Sequence, residues 1–227
     1  MKHTQQLLSL LSVFARSGLG AAAEPAAAES APKPSRYSLE LGFTGNLALN
    51  DITNDKEMEG VQVHTWGIDL TAVRKFNEHH ALTLRFGYAE GSASDEGYVG
   101  QYLYEVEGKL RSFSLMPGYR YSHTIYGKLG AFAGVNVGII CHNAEDHERW
   151  EDQMWVDVKN YAIGLAYSAE LGLTWQKGPH LSYFLAYQFS GSTARPKLEW
   201  HNEDATYSAT MNEQAYHSIR CGLSYSF

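Results

Sequence analysis

The chain has 227 residues, a net charge of -7 and a hydrophobic fraction of 44%, which suits one sizeable domain and gives no sign of two. Its 15 Tyr and 21 Gly favour an all-β protein over a helical one. After the first twenty residues, no stretch approaches the roughly 18 consecutive apolar residues of a membrane helix, so hydropathy excludes such a helix there.

The first segment has the features of an export signal. Lys2 precedes the apolar run at 7–15, and the small residues Ala21 and Ala23 are placed for cleavage. The alternatives are a wrongly assigned start or a short amphipathic helix. We expect three parts in the chain: a signal peptide at 1–23, an Ala- and Pro-rich tether at 24–35 and one domain at 36–227.

From Tyr37 onward, apolar and polar residues alternate with a period of two. Between Tyr37 and Leu49 the odd positions are apolar apart from Gly45, and the even positions are polar or small. Seven further segments repeat this alternation. They lie at about 61–76, 81–90, 112–121, 128–141, 161–173, 181–189 and 218–227. The pattern predicts eight β-strands.

The two faces of these strands differ in a way that indicates which one points inward. The polar face is mostly Gly, Ala, Ser and Thr, which fit the interior of a narrow eight-stranded barrel. The apolar face carries no charged residue in the centre of any segment, so we expect it to face lipid. Side chains such as Trp66 and Leu171 should therefore point outward.

The connections between strands alternate in length. Short links are expected at 77–80, 122–127 and 176–179, and long links at about 50–60, 91–104, 142–158 and 191–213. Short turns on one side and long loops on the other are typical of outer-membrane barrels, with the turns periplasmic. The predicted fold is an all-β, eight-stranded antiparallel up-and-down transmembrane β-barrel in a bacterial outer membrane, with both termini periplasmic.

The last predicted strand carries four large apolar residues on its outward face. They are Ile219, Leu223, Tyr225 and Phe227. This strand resembles the C-terminal recognition signal of bacterial outer-membrane proteins, which the barrel assembly machinery reads. Over residues 36–227 the chain resembles the small barrel superfamily that includes the OmpA membrane domain, OmpX, Ail-type adhesins and opacity proteins. The resemblance concerns architecture and not a functional motif.

Six charged residues fall on the predicted inward face, and their charges sum to zero. They are Glu40, Asp69, Arg85, Arg120, Glu170 and Arg220. A buried charge in a narrow lumen is costly unless it is paired, so these residues are expected to form a salt-bridge network that plugs the lumen. Closure of the barrel brings Glu40 towards Arg220, and strands 2 and 3 bring Asp69 towards Arg85. The alternative is a gated ion path.

The long connections are acidic and hold the candidates for contact with other molecules. In or beside them lie 19 of the 25 acidic residues, which indicates a solvated rim, or weak divalent-cation bridging to lipopolysaccharide, or its repulsion. The third connection lacks the spacing of a calcium loop, so no metal site is expected. Residues 196–211 read as a hairpin that extends strands 7 and 8. The interaction candidates are Trp150, Trp155, Trp200 and Tyr207.

Histidines near the extracellular strand ends raise the alternative of a lipid A-modifying enzyme at the rim. They are His64, His142 and His217. His217 and Ser218 are adjacent in a strand, so they point to opposite faces and cannot hydrogen-bond through their side chains. The sequence also lacks the His-x-Ser-Asn run of the deacylase family. We therefore expect no catalytic residues and no cofactor.

Two local expectations complete the structural prediction. Pro117 lies inside a strand of a barrel without a free edge, which predicts a bulge or kink at 116–118. Cys141 and Cys221 fall on strands that are not neighbours, so no intramolecular disulfide is expected.

The expected function is a non-enzymatic structural or surface-interaction role, similar to adhesion, with a small passive channel or a rim enzyme as alternatives. The expected partners are outer-membrane lipid, lipopolysaccharide, the barrel assembly machinery and an extracellular partner. We expect no nucleic-acid partner and a monomer.

Overall fold

The computed structural model describes five parts of the chain, and the expected signal peptide and tether lie outside them. The described residues are 36–49, 64–99, 102–150, 154–201 and 206–227. Within these ranges, side chains are described except at 93–99, 102–108, 146–150, 154–159, 198–201 and 206–209. No helix in the described part of the chain is long and apolar enough to cross a membrane.

The described residues form ten β-strands. In chain order these are β1 (Tyr37–Ala48), β2 (Thr65–Lys75), β3 (His80–Val99), β4 (Tyr102–Tyr126), β5 (Leu129–Trp150), β6 (Met154–Gln176), β7 (Leu181–Ser192), β8 (Lys197–His201), β9 (Thr206–Thr210) and β10 (Ala215–Ser226). Eight of them close into an antiparallel barrel, in the order β1-β10-β7-β6-β5-β4-β3-β2. Strands β8 and β9 pair only with each other, between β7 and β10 in the sequence. The predicted all-β, eight-stranded antiparallel barrel is confirmed.

The strand register sorts the side chains onto two faces. On β1, Leu41 lies opposite Leu70 of β2 and Leu223 of β10, so apolar residues meet apolar residues across strands. Buried and exposed positions alternate along β2 from Thr65 to Leu70. Trp66 is 58% exposed. The apolar face therefore points outward and the small, polar face lines the lumen, as predicted.

The barrel wall is uneven in height. Strands β1, β2, β7 and β10 have 11 or 12 residues, close to the roughly 9–11 that cross a bilayer. Strands β3 to β6 have 20 to 25 residues, so they continue well beyond it as a four-stranded sheet. We call this part the projecting sheet. It comprises residues 92–99 of β3, 102–109 of β4, 145–150 of β5 and 154–159 of β6.

The projecting sheet corrects the expected loop boundaries. The long connections predicted at 91–104 and 142–158 are mostly strand, because β3 reaches Val99 and β5 reaches Trp150. Alternation of apolar and polar residues marks a strand only where one face is shielded from water. Both faces of the projecting sheet lie beyond the barrel wall, so this signal is lost there.

The fourth long connection contains the expected hairpin, but not as an extension of the barrel strands. Strands β8 and β9 pair from Lys197↔Thr210 to His201↔Thr206. Residues 193–196 and 211–214 are not strand, and they separate this hairpin from β7 and β10. The three short connections lie at 76–79, 127–128 and 177–180. The first and third are close to their predicted places, whereas the second is shorter than the predicted 122–127, because β4 continues to Tyr126.

The bulge expected at Pro117 is absent. The pairs Leu115↔Ile139 and Gly118↔Asn136 keep one register between β4 and β5 on both sides of the proline. Proline has no N–H to donate, and the pairing with β5 is interrupted at this point without a shift. A Cβ on Gly138 would lie 2.7 Å from the Cα of Met116, so glycine permits the close approach of the two chains here.

Candidate functional site

The six inward charged residues meet at one level of the lumen, which we call the ionic layer. Each is no more than 7% exposed. They project from six different strands because each occupies an inward position of its own strand. The members are Glu40 (β1), Asp69 (β2), Arg85 (β3), Arg120 (β4), Glu170 (β6) and Arg220 (β10).

Arg220 is the most buried member of the ionic layer, at 0% exposure. Its Nε donates to Asp69 Oδ2 over 2.8 Å, and its Nη2 donates to Asp69 Oδ1. The same Nη2 also donates to Thr71 Oγ1 over 3.2 Å. This bidentate salt bridge fixes the guanidinium in one orientation, because both of its hydrogen bonds lie in the guanidinium plane.

Glu170 joins the other two arginines of the ionic layer. Arg85 donates from Nη2 to Glu170 Oε2 over 2.6 Å, and Arg120 donates from Nη2 to Glu170 Oε1 over 3.1 Å. Arg120 also donates to both oxygens of Glu40, over 2.5 and 3.0 Å. Arg85 completes its set with Gln188 Oε1, 2.7 Å away. The layer is therefore one connected network and not three separate pairs.

The pairs expected from neighbouring strands are present only as longer contacts. Arg220 Nη2 lies 3.7 Å from Glu40 Oε2, and Arg85 Nε lies 3.9 Å from Asp69 Oδ1. The short hydrogen bonds reach across the lumen instead. An arginine side chain is long enough to pass its neighbouring strand in so narrow a barrel, so adjacency in the sheet does not decide its partner.

A buried apolar cluster lies beneath the ionic layer on the turn side. It consists of the rings of Phe132 and Phe184 with Ala186 beside them, and we call it the aromatic floor. The Arg120 guanidinium lies 4.5 Å from the Phe132 ring centroid, and the Arg220 guanidinium lies 4.5 Å from that of Phe184. A cation over an aromatic ring is attracted by the electron-rich face. The floor thus packs against the ionic layer and stabilises two of its charges.

Beside the ionic layer the lumen also holds buried, uncharged polar groups. Asn136 is 2% exposed, accepts from Thr83 Oγ1 over 3.0 Å and donates to Ser168 Oγ over 3.1 Å. These bonds link β3, β5 and β6 across the interior. Buried amides need such partners, because an unpaired one costs about 1–3 kcal/mol.

An upper cavity of about 110 Å³ opens between this level and the loop end of the barrel. Asp69, Arg85 and Gln188 of the lower levels contribute to its lining, together with His142 and Tyr216 nearer the loops. The inward positions around it include many hydroxyl-bearing side chains. The cavity therefore has room for water molecules and offers them these hydroxyl groups, although most of its exposed lining is apolar.

His142 is held between two serines at the wall of the upper cavity. Its Nδ1 lies 2.7 Å from Ser112 Oγ, and its Nε2 lies 3.0 Å from Ser192 Oγ, which also accepts the N–H of Ala194 over 3.0 Å. The sequence places His142 near the outer end of its strand but does not reveal these partners. The register Ser112↔His142 between β4 and β5 is the signal that identifies the first of them.

The other rim histidines have no serine partner in the described structure. His217 is exposed and contacts Tyr187 Oη, while Ser218 is buried and donates to Asn46 Oδ1 over 2.6 Å. Their opposite orientation confirms the prediction. His64 Nδ1 accepts the N–H of Ala48 over 3.2 Å. Among the described residues, no group of three or more His, Cys, Asp or Glu is placed to hold a metal ion.

Comparison with known proteins identifies the architecture. No protein-family model matches the chain, and no curated protein matches it. A major outer membrane protein from Thermus thermophilus has a similar structure, with a TM-score of 0.51, 10% identity, and coverage of 84% of this chain and 99% of that chain. The chain has the fold of an outer-membrane β-barrel.

Two further outer-membrane proteins are similar at lower scores. Ail, the attachment invasion locus protein of Yersinia pestis, gives a TM-score of 0.46 at 13% identity, covering 85% of this chain and 99% of that one. Neisserial surface protein A gives 0.47 at 8% identity, covering 85% and 98%. Both scores lie below 0.5, so the fold assignment depends on the Thermus protein and on the closed eight-stranded barrel itself.

The outer-membrane barrel carries an apolar belt on its outward face. On β4 the belt runs from Phe113 to Tyr121, and nine residues at about 3.3 Å each, tilted by about 40°, rise roughly 23 Å, close to the ~25 Å apolar band of such barrels. Its loop-side boundary is marked by Arg111, which lies 3.8 Å from Glu90 and 3.3 Å from Glu145. A bilayer covers a surface of this kind.

The residues expected to mark assembly lie along the outward face of the last strand, and those expected to mark interaction lie beyond the loop end of the barrel. Ile219, Leu223, Tyr225 and Phe227 all point outward and are 43% to 68% exposed. The interaction candidates lie on the projecting sheet and on the β8–β9 hairpin, and their side chains lie outside the described residues. They are Trp150, Trp155, Trp200 and Tyr207.

The two cysteines are free thiols on separate strands of the barrel. Cys141 belongs to β5, whose neighbours are β4 and β6, and Cys221 belongs to β10, whose neighbours are β1 and β7. Because the two strands do not pair, the barrel wall keeps the two thiols apart.

Proposed function

We propose that this chain is an integral protein of a bacterial outer membrane, that its lumen is closed to ions, and that its role is to present the projecting sheet to a partner outside the cell. The observation that carries this proposal is the height of β3 to β6, which are about twice as long as a membrane strand requires. A sheet of this length beyond the bilayer has no role in crossing it.

The proposed orientation places the three short turns in the periplasm and the projecting sheet at the cell surface. Short periplasmic turns and longer extracellular connections are the usual arrangement of such barrels. The signal peptide at 1–23 and the tether at 24–35 then precede the barrel on the periplasmic side. The final strand, with its exposed Tyr225 and Phe227, would be read by the barrel assembly machinery.

The filled lumen argues for a non-conducting barrel over a passive channel. The ionic layer is neutral overall and is linked by salt bridges across the interior, and the buried rings of Phe132 and Phe184 pack beneath it. An ion that passed would have to break buried, charge-assisted hydrogen bonds, which are about twice as strong as neutral ones. In planar bilayers we expect no discrete conductance steps from the folded protein; regular steps would support the channel instead.

The edge of β3 offers a place for a partner to bind. Residues 92–99 pair with β4 on one side, whereas β2 pairs with β3 only up to Gly91 in the described structure. An unpaired strand edge presents a row of N–H and C=O groups that an extended peptide can extend by one strand. On the opposite side, the β8–β9 hairpin contacts β6 at the base of the projecting sheet, where Asn160 Nδ2 donates to the carbonyl oxygen of Lys197.

The proposal is tested by shortening the projecting sheet while keeping the barrel. Replacing residues 94–107 and residues 146–158 each by Asn-Gly leaves the flanking pairs Ala93↔Gly108 and Glu145↔Lys159 joined by tight turns. Bacteria that express the full chain should adhere to immobilised extracellular-matrix or complement proteins, and the shortened variant should lose this adhesion. Retarded or accelerated gel migration without boiling would verify that both barrels fold.

A matched control removes the other projecting element. Replacing residues 198–209 by Asn-Gly deletes most of the β8–β9 hairpin but keeps the pair Lys197↔Thr210. This variant should adhere as the full chain does. Equal adhesion of the full chain and the variant with the shortened projecting sheet would contradict the proposed role of that sheet.

A further inference from the structure

The turn end of the barrel carries a ring of basic side chains, which we call the basic turn rim. Its members are all exposed: Arg36, Arg74, Lys75, Lys128 and Lys177. Among the described side chains of the turns and adjoining strand ends, Glu78 is the only acidic one. In that part of the structure, no member of the basic turn rim pairs with a carboxylate. The loop end, in contrast, adjoins 19 of the chain's 25 acidic residues.

Aromatic residues fix the depth of the basic turn rim relative to the bilayer. Exposed aromatic side chains lie on the outward face one to a few residues inside the rim. They are Tyr119, Tyr121, Trp175, Tyr183, Tyr225 and Phe227. Such belts lie at the level of the lipid headgroups. The basic groups just beyond them are therefore at the level of the phosphates.

Lys177 shows how the two sets of side chains are arranged. Its Nζ lies 3.2 Å from Tyr183 Oη and 5.6 Å from the centroid of the same ring. The ammonium group is thus held against an interfacial aromatic residue, with its remaining donors free for a group outside the protein. An ammonium or guanidinium at this depth meets phosphate oxygens, which are the strong acceptors of a lipid headgroup.

We propose that the basic turn rim selectively binds anionic phospholipids, through their headgroup phosphates, in the leaflet that faces the turns. This inference rests on the proposed membrane location. The attraction of a basic residue to an anionic lipid surface is about 1 kcal/mol, which corresponds to about fivefold in relative affinity for each side chain. The five basic groups of the basic turn rim outnumber its single acidic side chain, so the turn end should bind anionic lipid more tightly than zwitterionic lipid. The acidic loop end should not share this preference.

The experiment uses the full-length folded protein in vesicles of phosphatidylcholine with and without phosphatidylglycerol. Native mass spectrometry or a spin-labelled lipid measures the affinity for phosphatidylglycerol relative to phosphatidylcholine. We expect the unmodified chain to prefer phosphatidylglycerol, less so at high salt because screening weakens exposed charges. The triple variant Arg74→Gln, Lys75→Gln, Lys128→Gln should lose most of this preference.

The matched control removes three basic side chains from the loop side of the belt: Lys109→Gln, Arg111→Gln and Arg195→Gln. This variant should keep the preference for phosphatidylglycerol, which would exclude a simple effect of net charge. Equal affinity of the unmodified chain for both lipids, or equal loss in both triple variants, would overturn the inference. A chain that does not insert into either kind of vesicle would instead contradict the membrane location, and flotation of the vesicles shows this separately.

Discussion

The lower and upper halves of the lumen are filled in different ways. The lower half contains the ionic layer and the aromatic floor, and its charged groups are almost entirely inaccessible. The upper half contains amides, hydroxyls and His142 around a cavity of about 110 Å³. Apart from the six members of the ionic layer, no Asp, Glu, Lys or Arg occupies a described inward position on the loop side of the lumen.

This difference indicates that most of the free space in the lumen adjoins neutral groups, although Asp69 and Arg85 reach the cavity lining from below. Where charges are buried, each lies against an opposite charge, because a buried ion needs close pairing to offset its desolvation. Where space remains, most groups are neutral, and water can replace a missing partner. Removal of one polar partner should therefore lower the free energy of unfolding much more in the lower half than in the upper half.

The largest effect is expected from Arg220→Ala in the ionic layer. The change leaves Asp69 buried and without its bidentate partner. Removal of one member of a buried ion pair lowers the free energy of unfolding by about 3–5 kcal/mol. Urea titration of the folded barrel in detergent micelles, followed by Trp fluorescence, measures the free energy of unfolding. An unchanged unfolding midpoint would show that the ionic layer does not stabilise the barrel.

A double variant separates lost pairing from lost volume. Arg220→Met with Asp69→Leu removes both charges, keeps the layer neutral and fills similar space. Replacement of a buried ion pair by apolar groups is often neutral or stabilising, so this variant should recover most of the stability. If it remains as unstable as Arg220→Ala, packing around Phe184 and not charge pairing explains the loss.

The sequence predicts the members of the ionic layer but not their partners. Strand parity places all six charges inside, and their zero sum follows from the residue types alone. Partner choice depends on side-chain reach across the lumen: Arg120 on β4 meets Glu40 on β1, which is not a neighbouring strand. The Ser112–His142 contact likewise depends on the β4–β5 register, which local alternation does not give.

The fold is predictable where the two faces of a strand differ in polarity and not where they do not. Within the apolar belt, alternation identified eight strands and their inward faces. Beyond the belt, β3 to β6 continue without this signal, and the sequence suggests loops instead. The absence of a bulge at Pro117 has a separate reason. Many residue pairs on both sides fix the register between β4 and β5, so one proline does not shift it.

A smaller effect is expected from overpacking the aromatic floor with Gly172→Ala. A Cβ at this position would lie 2.5 Å from Phe132 Cε1 and 2.8 Å from Ala186 Cβ, so the ring must move. Overpacking a filled core costs about 1–3 kcal/mol, and urea titration in micelles measures it. The matched control is Gly45→Ala, where a Cβ meets nothing within 4 Å.

Coupling to Phe132 gives this prediction a second readout. In a Phe132→Ala background the added methyl group has space, so Gly172→Ala should cost clearly less than in the unmodified chain. Equal costs in both backgrounds would place the strain elsewhere than in the contact with Phe132.

The smallest effect is expected from His142→Ala beside the upper cavity. The change removes the partner of Ser112 and one partner of Ser192, but water from the cavity can take its place. The expected loss is about 1 kcal/mol, that of an ordinary hydrogen bond, measured by the same titration. In a Ser112→Ala background the loss should be smaller still, because one of the two contacts is already absent. A loss as large as that of Arg220→Ala would mean that water does not reach this level, and the contrast between the two halves of the lumen would fail.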